Sequence, residues 1–440
     1  MRAATLALLF LALPAAAQDL QQVYRDAKSY DAQYAAARHA LQAGLEKLPQ
    51  GRALILPTLN FSGNTTGTRI DSYSRNSVNP PSLRDLHSYG YSILFSQPIF
   101  RAQSFLEYTQ AEFRVKQAEA TFGQAGQDLI VRAAQAYFDV LAAQDTLALV
   151  QAQKAAISEQ LAQAKRNFEV GTATITDTHE AQARFDLSSS QEIAAQGDLE
   201  TKRRALQQIT GKEYAALRTL RPQVRLSPPN PANMQSWVEI AEKQGYPVQI
   251  QESTTEIAKL DARRGTAGHY PTLDLEASYG TTSQTGSTVI PTSGSSLVAT
   301  GSLALKLGIP LFAGGSLDSK EREAAALHEK AKQDLENARR SQALSARQTF
   351  VQVTNGIAQV GALEQALVSS QSALDSNKLG YEVGVRINID VLNAQQQLFS
   401  TRRDLAVARY NTITSHLRLK AAAGSLRDED LEEVNRALQP

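Results

Sequence analysis

The chain has 440 residues, with 45 basic and 44 acidic side chains and no cysteine. A formal net charge of +1 gives no electrostatic reason to expect nucleic acid or an anionic membrane surface as the main partner. The missing cysteine excludes a disulfide framework, a Cys-ligated zinc or iron–sulfur site, a thiol nucleophile and a lipid-modified cysteine anchor.

Residues 1–17 read as a secretory signal peptide. Arg2 supplies the positive start, Ala3 to Leu13 the apolar stretch, and Ala15 and Ala17 the small-residue cleavage site. The apolar part is shorter than the ~20 residues a spanning helix needs, and Pro14 would break a buried helix. The mature chain is expected to start near Gln18 and to leave the cytoplasm. Further on, the most apolar run, Leu297 to Ala313, is interrupted by Thr300, Ser302, Lys306 and Pro310. A membrane crossing, if present, is made by strands.

The mature chain is a duplication. FEVGTATITD (Phe168 to Asp177) matches YEVGVRINID (Tyr381 to Asp390) at an offset of 213 residues. LPTL at Leu56 matches YPTL at Tyr270, QPIF at Gln97 matches IPLF at Ile309, and Gly211 matches Gly424, in the same order and at nearly the same offset. Each half has one layout: helix, strand pair, very long helix, tight turn, helix. The predicted boundaries are a first repeat over 18–211 with a hairpin at 58–100 and a tip turn at 169–177. A linker follows at 212–233, then a second repeat over 234–424 with a hairpin at 272–312 and a tip turn at 380–390. The tail is 425–440.

Hydrophobic periodicity predicts helices over Leu20–Leu48, Arg101–Phe168 and Thr176–Ile209, then Met234–Ala267, Leu317–Leu379 and Asp390–Ala423. In each half the two shorter helices together match the long one, as expected if they stack end to end beside it. A helix of roughly 68 residues is ~100 Å long, beyond the size of a compact domain. Leu129, Ala133, Ala136, Tyr137, Val140 and Leu147 form one apolar face of the first long helix. Val131, Ala134, Phe138, Leu141 and Ala148 form a second, so neighbours are expected on two sides.

The strand pairs alternate. Tyr89, Tyr91, Ile93 and Phe95 are interleaved with Ser88, Gly90, Ser92 and Ser96, with Leu94 as an exception. Leu297, Ala299, Leu303, Leu305 and Leu307 are interleaved with Thr300, Ser302, Lys306 and Gly308. One apolar and one polar side over ~10 residues suits a transmembrane strand with lipid outside and water inside. The links Arg69 to Leu86 and Ser283 to Ser296 read as surface loops. Four strands cannot close a barrel and open edges are not tolerated in lipid. The chain is therefore expected to oligomerise: two copies give an 8-stranded barrel filled by side chains, and three give 12 strands with a lumen, which a hydrophilic channel favours.

In this order and spacing, the duplicated tip motifs, the QPIF and IPLF junctions, the LPTL and YPTL strand starts, AYFDVL (Ala136 to Leu141) and NAQQQLFSTRRDLAVARYN (Asn393 to Asn411) resemble the TolC family of outer-membrane channel proteins. The resemblance covers essentially the mature length. It implies a mainly α fold with membrane β: a trimeric, 12-stranded β-barrel with four strands per chain, continuing into an α-helical coiled-coil tunnel across the periplasm. An equatorial region would take in the linker from Tyr214 to Pro231 and the tail after Gly424. The implied partners are two further copies of the chain, a periplasmic adaptor (membrane fusion) protein, an inner-membrane efflux pump or ABC exporter, and outer-membrane lipid. The exported cargo would be small molecules, proteins or both.

The resemblance also places a gate at the periplasmic tips. Tyr381 and Arg386 are expected to bond to the first-repeat tip around Thr176 and Asp177. Asp390 would repeat around the axis as a cation-attracting ring. A second acidic ring common in the family falls on Asn393 here, which halves the expected constriction charge. Gly171, Thr172, Gly384 and Val385 are expected to contact the adaptor, or simply to make the turns. New helices begin near Asp177 and Asp390, and Asp177 and Glu180 have the spacing of a capping box, so helix capping is the alternative role for both aspartates. No cofactor or metal is expected: His39, His87, His179, His269, His328 and His416 show no ligand spacing, TGK at Thr210 lacks the earlier P-loop glycine, and GxSxG is absent. Against the channel stands a structural periplasmic coiled-coil scaffold, which would share the helices but not the amphipathic strand pairs.

Overall fold

The computed structural model describes residues 17–72, 82–221, 224, 226–285 and 294–439. Residues 1–16 of the expected signal peptide 1–17, Pro222 of the expected linker and the middles of both strand links lie outside these. In chain order the elements are α1 (Leu20–Tyr30), α2 (Ala32–Leu45), α3 (Lys47–Ala53), β1 (Thr58–Ser72), β2 (Ser82–Phe100), α4 (Ala102–Glu169) and α5 (Ile175–Thr210). The second half gives α6 (Met234–Gln244), α7 (Tyr246–Ala267), β3 (Thr272–Thr285), β4 (Ser296–Gly308), α8 (Ser316–Glu382), α9 (Asn388–Ala422) and α10 (Asp430–Arg436). The long helices have 68 and 67 residues. No helix among the described residues is long and apolar enough to cross a membrane.

The expected first helix of each repeat is broken, at equivalent places. Over Leu20–Leu48 the chain leaves helical geometry at Asp31 (ψ 118°), and a turn at Glu46, whose own dihedrals stay helical, separates α2 from α3. Asp31 Oδ1 accepts from the Tyr34 amide at 2.7 Å, so it starts α2. Its carboxylate also takes the Arg132 fork at 3.0 and 3.0 Å, and those bonds hold its pKa below the usual carboxylate range. Met234–Ala267 breaks at Gly245 (ψ 129°), where an added Cβ would lie 2.9 Å from the Gln342 side chain. Pro247 then sits in the first turn of α7, where its missing N–H costs nothing.

The described chain falls into two compact units. The first comprises the N-terminal segment to Ala40 with Ala120–Gln249 and Asn337–Pro440. Both predicted faces of α4 are used within it: Leu129, Ala133, Tyr137 and Val140 are buried, as are Ala134, Phe138 and Leu141, while Ala148 is exposed. They share a core with Leu20, Val23 and Tyr24 of α1, Tyr410 of α9, and Leu431 and Leu438 of the tail. Phe138 lies between two rings, edge-on to Tyr137 and stacked on Tyr410, each 5.5 Å away. Buried hydroxyls need partners. Tyr137 donates to the Arg218 carbonyl at 2.7 Å and Tyr410 to Asp145 Oδ2 at 2.6 Å. Short bridges Gln18–Leu217 and Leu220–Leu438 tie the mature start, the linker and the tail together.

The second unit, Leu41–Glu119 and Ile250–Glu336, holds the sheet. Its four strands run antiparallel in the order β1-β2-β3-β4, so the two hairpins are joined by β2 and β3 and one edge each of β1 and β4 is unpaired. Residues directly opposite in an antiparallel ladder share a face, and the register gathers the faces. Leu59, Phe95, Ala277 and Leu303 form one row, and Phe61, Ile93, Tyr279 and Gly301 the next. Leu59, Phe61, Leu297 and Leu303 on this face are more than 70% exposed, so nothing among the described residues covers it. The opposite face carries Asn60, Leu94, Ser278 and Ser302, then Ser62, Ser92, Gly280 and Thr300. Serine pairs meet across it at 2.8 Å, Ser62 with Ser92 and Ser278 with Ser302. Leu94 is an apolar residue on the polar face, flanked by Asn60 and Ser278.

Two readings of the strand regions change. The stretches Arg69–Ser72, Ser82–Leu86 and Ser283–Thr285, expected as loop, are strand. Arg69 and Asp85 stand opposite each other and form a two-bond ion pair at 2.7 and 2.9 Å that extends the ladder. The two strand-to-helix junctions also differ: β2 runs to Phe100 and α4 starts at Ala102, whereas β4 stops at Gly308 and α8 starts at Ser316. At the first junction Arg101 holds the buried Asp274 of β3 through two bonds of 2.8 Å.

Candidate gate at the helix tips

Each long helix ends in the same turn. Gly171 and Gly384 both have φ 78°, the left-handed conformation that glycine adopts without a Cβ penalty. The amides of Thr172 and Ala173 close on the Asn167 carbonyl at 2.8 and 3.2 Å, and those of Val385 and Arg386 on the Gly380 carbonyl at 2.9 and 3.0 Å. These bonds satisfy carbonyls that a helix end leaves orphaned. Thr172 and Val385 are exposed at the turns, Val385 to 75%.

The capping box lies three residues earlier than the expected pair of Asp177 with Glu180. Thr174 is the N-cap and Asp177 the N3 residue: Asp177 N donates to Thr174 Oγ1, and the Thr174 amide and hydroxyl both donate to Asp177 Oδ2 at 2.9 and 2.8 Å. This commits the Asp177 carboxylate locally. Arg386, expected on Asp177, instead lies 3.7 Å from Asp390 one turn along its own chain, with its stem over Gly380. Thr176 is exposed in the first turn of α5. Tyr381 does reach the first repeat, though at the end of α4 rather than at Thr176 or Asp177: its hydroxyl accepts from Asn167 Nδ2 at 3.2 Å.

Four residues outside the expected set, Gln160, Arg184, Asn388 and Gln396, make further contacts between the repeats. Asn388, 1% exposed at the start of α9, accepts from Gln160 Nε2 of α4, itself 7% exposed. Arg184 of α5 forks onto α9, donating from Nη1 to Gln396 Oε1 at 2.7 Å and from Nη2 to Asn393 Oδ1 at 2.9 Å. Asn393 therefore faces a guanidinium. Between these ties, Ile157, Leu161 and Ala164 of α4, Ala181 of α5 and Leu392 of α9 make a small apolar core. The available sequence signal was a mismatch between repeats: the counterpart of Asn388 in the first copy is Ile175. Among the described residues no group of His, Asp and Glu is arranged to hold a metal ion.

Comparison with known proteins agrees across the whole chain. The family model described as outer membrane efflux protein matches residues 23–212 and 250–425. The outer membrane protein TolC of Vibrio cholerae is 33% identical over 96% of this chain and 94% of its own length. The alkaline protease secretion protein AprF of Pseudomonas aeruginosa is 31% identical over 97% of this chain and 89% of its own. Among solved structures, the Campylobacter jejuni CmeC outer membrane channel superposes with a TM-score of 0.78 over 96% of this chain and 90% of that one, at 16% identity. The outer membrane protein VceC of Vibrio cholerae gives 0.76 over 92% and 96%, at 18% identity. These likenesses show the same fold, and the scaffold reading finds no counterpart among them. The chain belongs to the outer membrane efflux protein family, as an outer-membrane channel protein of efflux and secretion that extends into the periplasm.

Proposed function

We propose that three copies of this chain close a 12-stranded barrel and a helical tunnel, forming a passive conduit gated at its periplasmic end. The observation that carries this is the two-faced sheet. Its apolar face is uncovered, its opposite face is lined by serine and threonine, and β1 and β4 each leave a row of backbone donors and acceptors unpaired. Lipid does not tolerate such edges, and a neighbour's β4 pairing with β1 removes both. The domain reading follows: hairpins 58–100 and 272–312 in the membrane, the tips 169–177 and 380–390 at the entrance, and the linker and tail as an equatorial region.

In this reading Tyr381, Arg386, Asp390 and Asn393 of the second repeat, with Thr176 and Asp177 of the first, sit at the gate. Asp390 gives a single acidic ring. The turns at Gly171, Thr172, Gly384 and Val385 contact a periplasmic adaptor that links the channel to an inner-membrane pump or exporter. That pump supplies the energy and chooses small molecules or proteins as cargo, and the chain itself catalyses no reaction. The test is reconstitution in planar bilayers. An SDS-resistant trimer with discrete pores, and a larger conductance for Arg386→Ser, is the expected result. A chain that assembles but forms no pores returns the scaffold reading, and an unchanged conductance removes Arg386 from the gate.

A further inference from the structure

Resting on the gate reading, we propose that Gln160, Asn388 and Arg184 are positioning residues that latch the start of α9 to the first repeat through amide acceptors rather than ion pairs. The apolar seam they bracket is small and contains two alanines, Ala164 and Ala181. Apolar contact of this kind is non-directional, so it holds α9 close without fixing its register. The amides fix it. Gln160 and Asn388 are both more than nine-tenths buried and are bonded to each other, and Asn388 Nδ2 also lies 3.5 Å from the Asp177 carbonyl. Sliding or tilting α9 away from α4 leaves two amides without partners in a site sealed from water, which is costlier than losing the same bond at the surface.

The Arg184 fork acts on the other side of the seam. Asn393 and Gln396 are three residues apart and so share a face of α9, and a planar guanidinium reaches both with parallel N–H groups where a lysine would reach one. The bonds are charge-assisted on the donor side only. Both ties join α9 to the first repeat, so both must break when α9 leaves it. Within one copy the Arg386–Asp390 pair joins two residues of the same segment and adds no tie to the first repeat, so any hold that Arg386 has on the gate acts between copies.

The test uses the full-length trimer in planar bilayers, with Arg386→Ser as the reference for the gate. Arg184→Ala and Asn388→Leu are each expected to raise the open-to-closed ratio by about tenfold, the effect of one lost charge-assisted or buried hydrogen bond. The double variant Gln160→Leu with Asn388→Leu returns towards the parent, because no amide is left unpaired. Gln396→Glu puts a carboxylate opposite Arg184 and lowers the ratio at ~0.1 M salt, an effect screened at ~1 M. Should Asn388→Leu fail to assemble, Arg184→Ala and Gln396→Glu carry the test, since Gln396 is exposed and Arg184 half-buried. Opening by Arg386→Ser with no response to Arg184→Ala or Gln396→Glu overturns the latch and leaves the gate standing. No response to any of them, Arg386→Ser included, overturns the gate reading and the latch with it.

Discussion

The two tips are one backbone used twice with different side chains. Both turns place a glycine at φ 78° and close the same pair of amides on one helix carbonyl. Beyond that they diverge. The first tip is self-contained: Thr174 and Asp177 cap α5 reciprocally. At the second, the N-cap is Ile387 with no side-chain cap, and the polar groups around it reach across to the first repeat through Tyr381–Asn167 and Asn388–Gln160. A helix start that satisfies its own donors keeps its geometry wherever it moves. One held by contacts to a neighbour is ordered only while docked. Under the proposed gate, the second tip is therefore the one whose order depends on the contacts that opening would break, and the first keeps its own geometry.

The sharpest way to break this comparison acts on what the tips share. Valine at either glycine position puts a β-branched side chain at positive φ, a cost of ~2 kcal/mol. Gly171→Val and Gly384→Val should destabilise their own turns equally, read by amide hydrogen exchange at 167–174 and 380–387. Unequal losses would mean that the turns are not energetically equivalent despite equal geometry.

What the sequence made legible follows from what repeats. Alternation and the 3.6-residue period are local, so α4 and α9 were placed within two residues of their ends, and the apolar strand face was identified residue by residue. The offset of 213 between FEVGTATITD and YEVGVRINID located both turns. The breaks at Asp31 and Gly245 have local marks that the 3.6-residue period does not register, an aspartate that caps α2 through the Tyr34 amide and Pro247 in the first turn of α7; only their packing against Arg132 and Gln342 is distant. The ties between the tips are not legible because their partners are far apart in the chain. Nothing in the periodicity singles out Gln160 or Arg184, and only the packing of α4, α5 and α9 shows that their partners are Asn388, Asn393 and Gln396.

A smaller effect tests the self-sufficiency of the first tip. Thr174→Ala removes the cap hydroxyl and leaves the Asp177 amide unsatisfied, a loss of ~1 kcal/mol. The first turn of α5 should fray, with exchange at 175–178 accelerated by about fivefold at that cost, while protection at 388–391 stays as it was. Loss of protection at both tips would show that the second depends on the first tip's cap as well as on its helices.

The smallest effect comes from giving the second tip what the first has. Ile387→Thr places a hydroxyl at the N-cap with Asp390 already at the N3 position, where its amide now bonds the Ile387 carbonyl at 3.1 Å. The new capping box should stabilise the start of α9 by ~0.5 kcal/mol. It should also draw the Asp390 carboxylate from Arg386, an exposed pair of little worth in its own right. Slower exchange at 388–391 with unchanged channel opening is the expected outcome, because the cap orders α9 internally without adding a bond to the first repeat. A more tightly closed channel would mean instead that folding the first turn of α9 and docking it are one event, and that the second tip moves by unravelling rather than as a rigid helix.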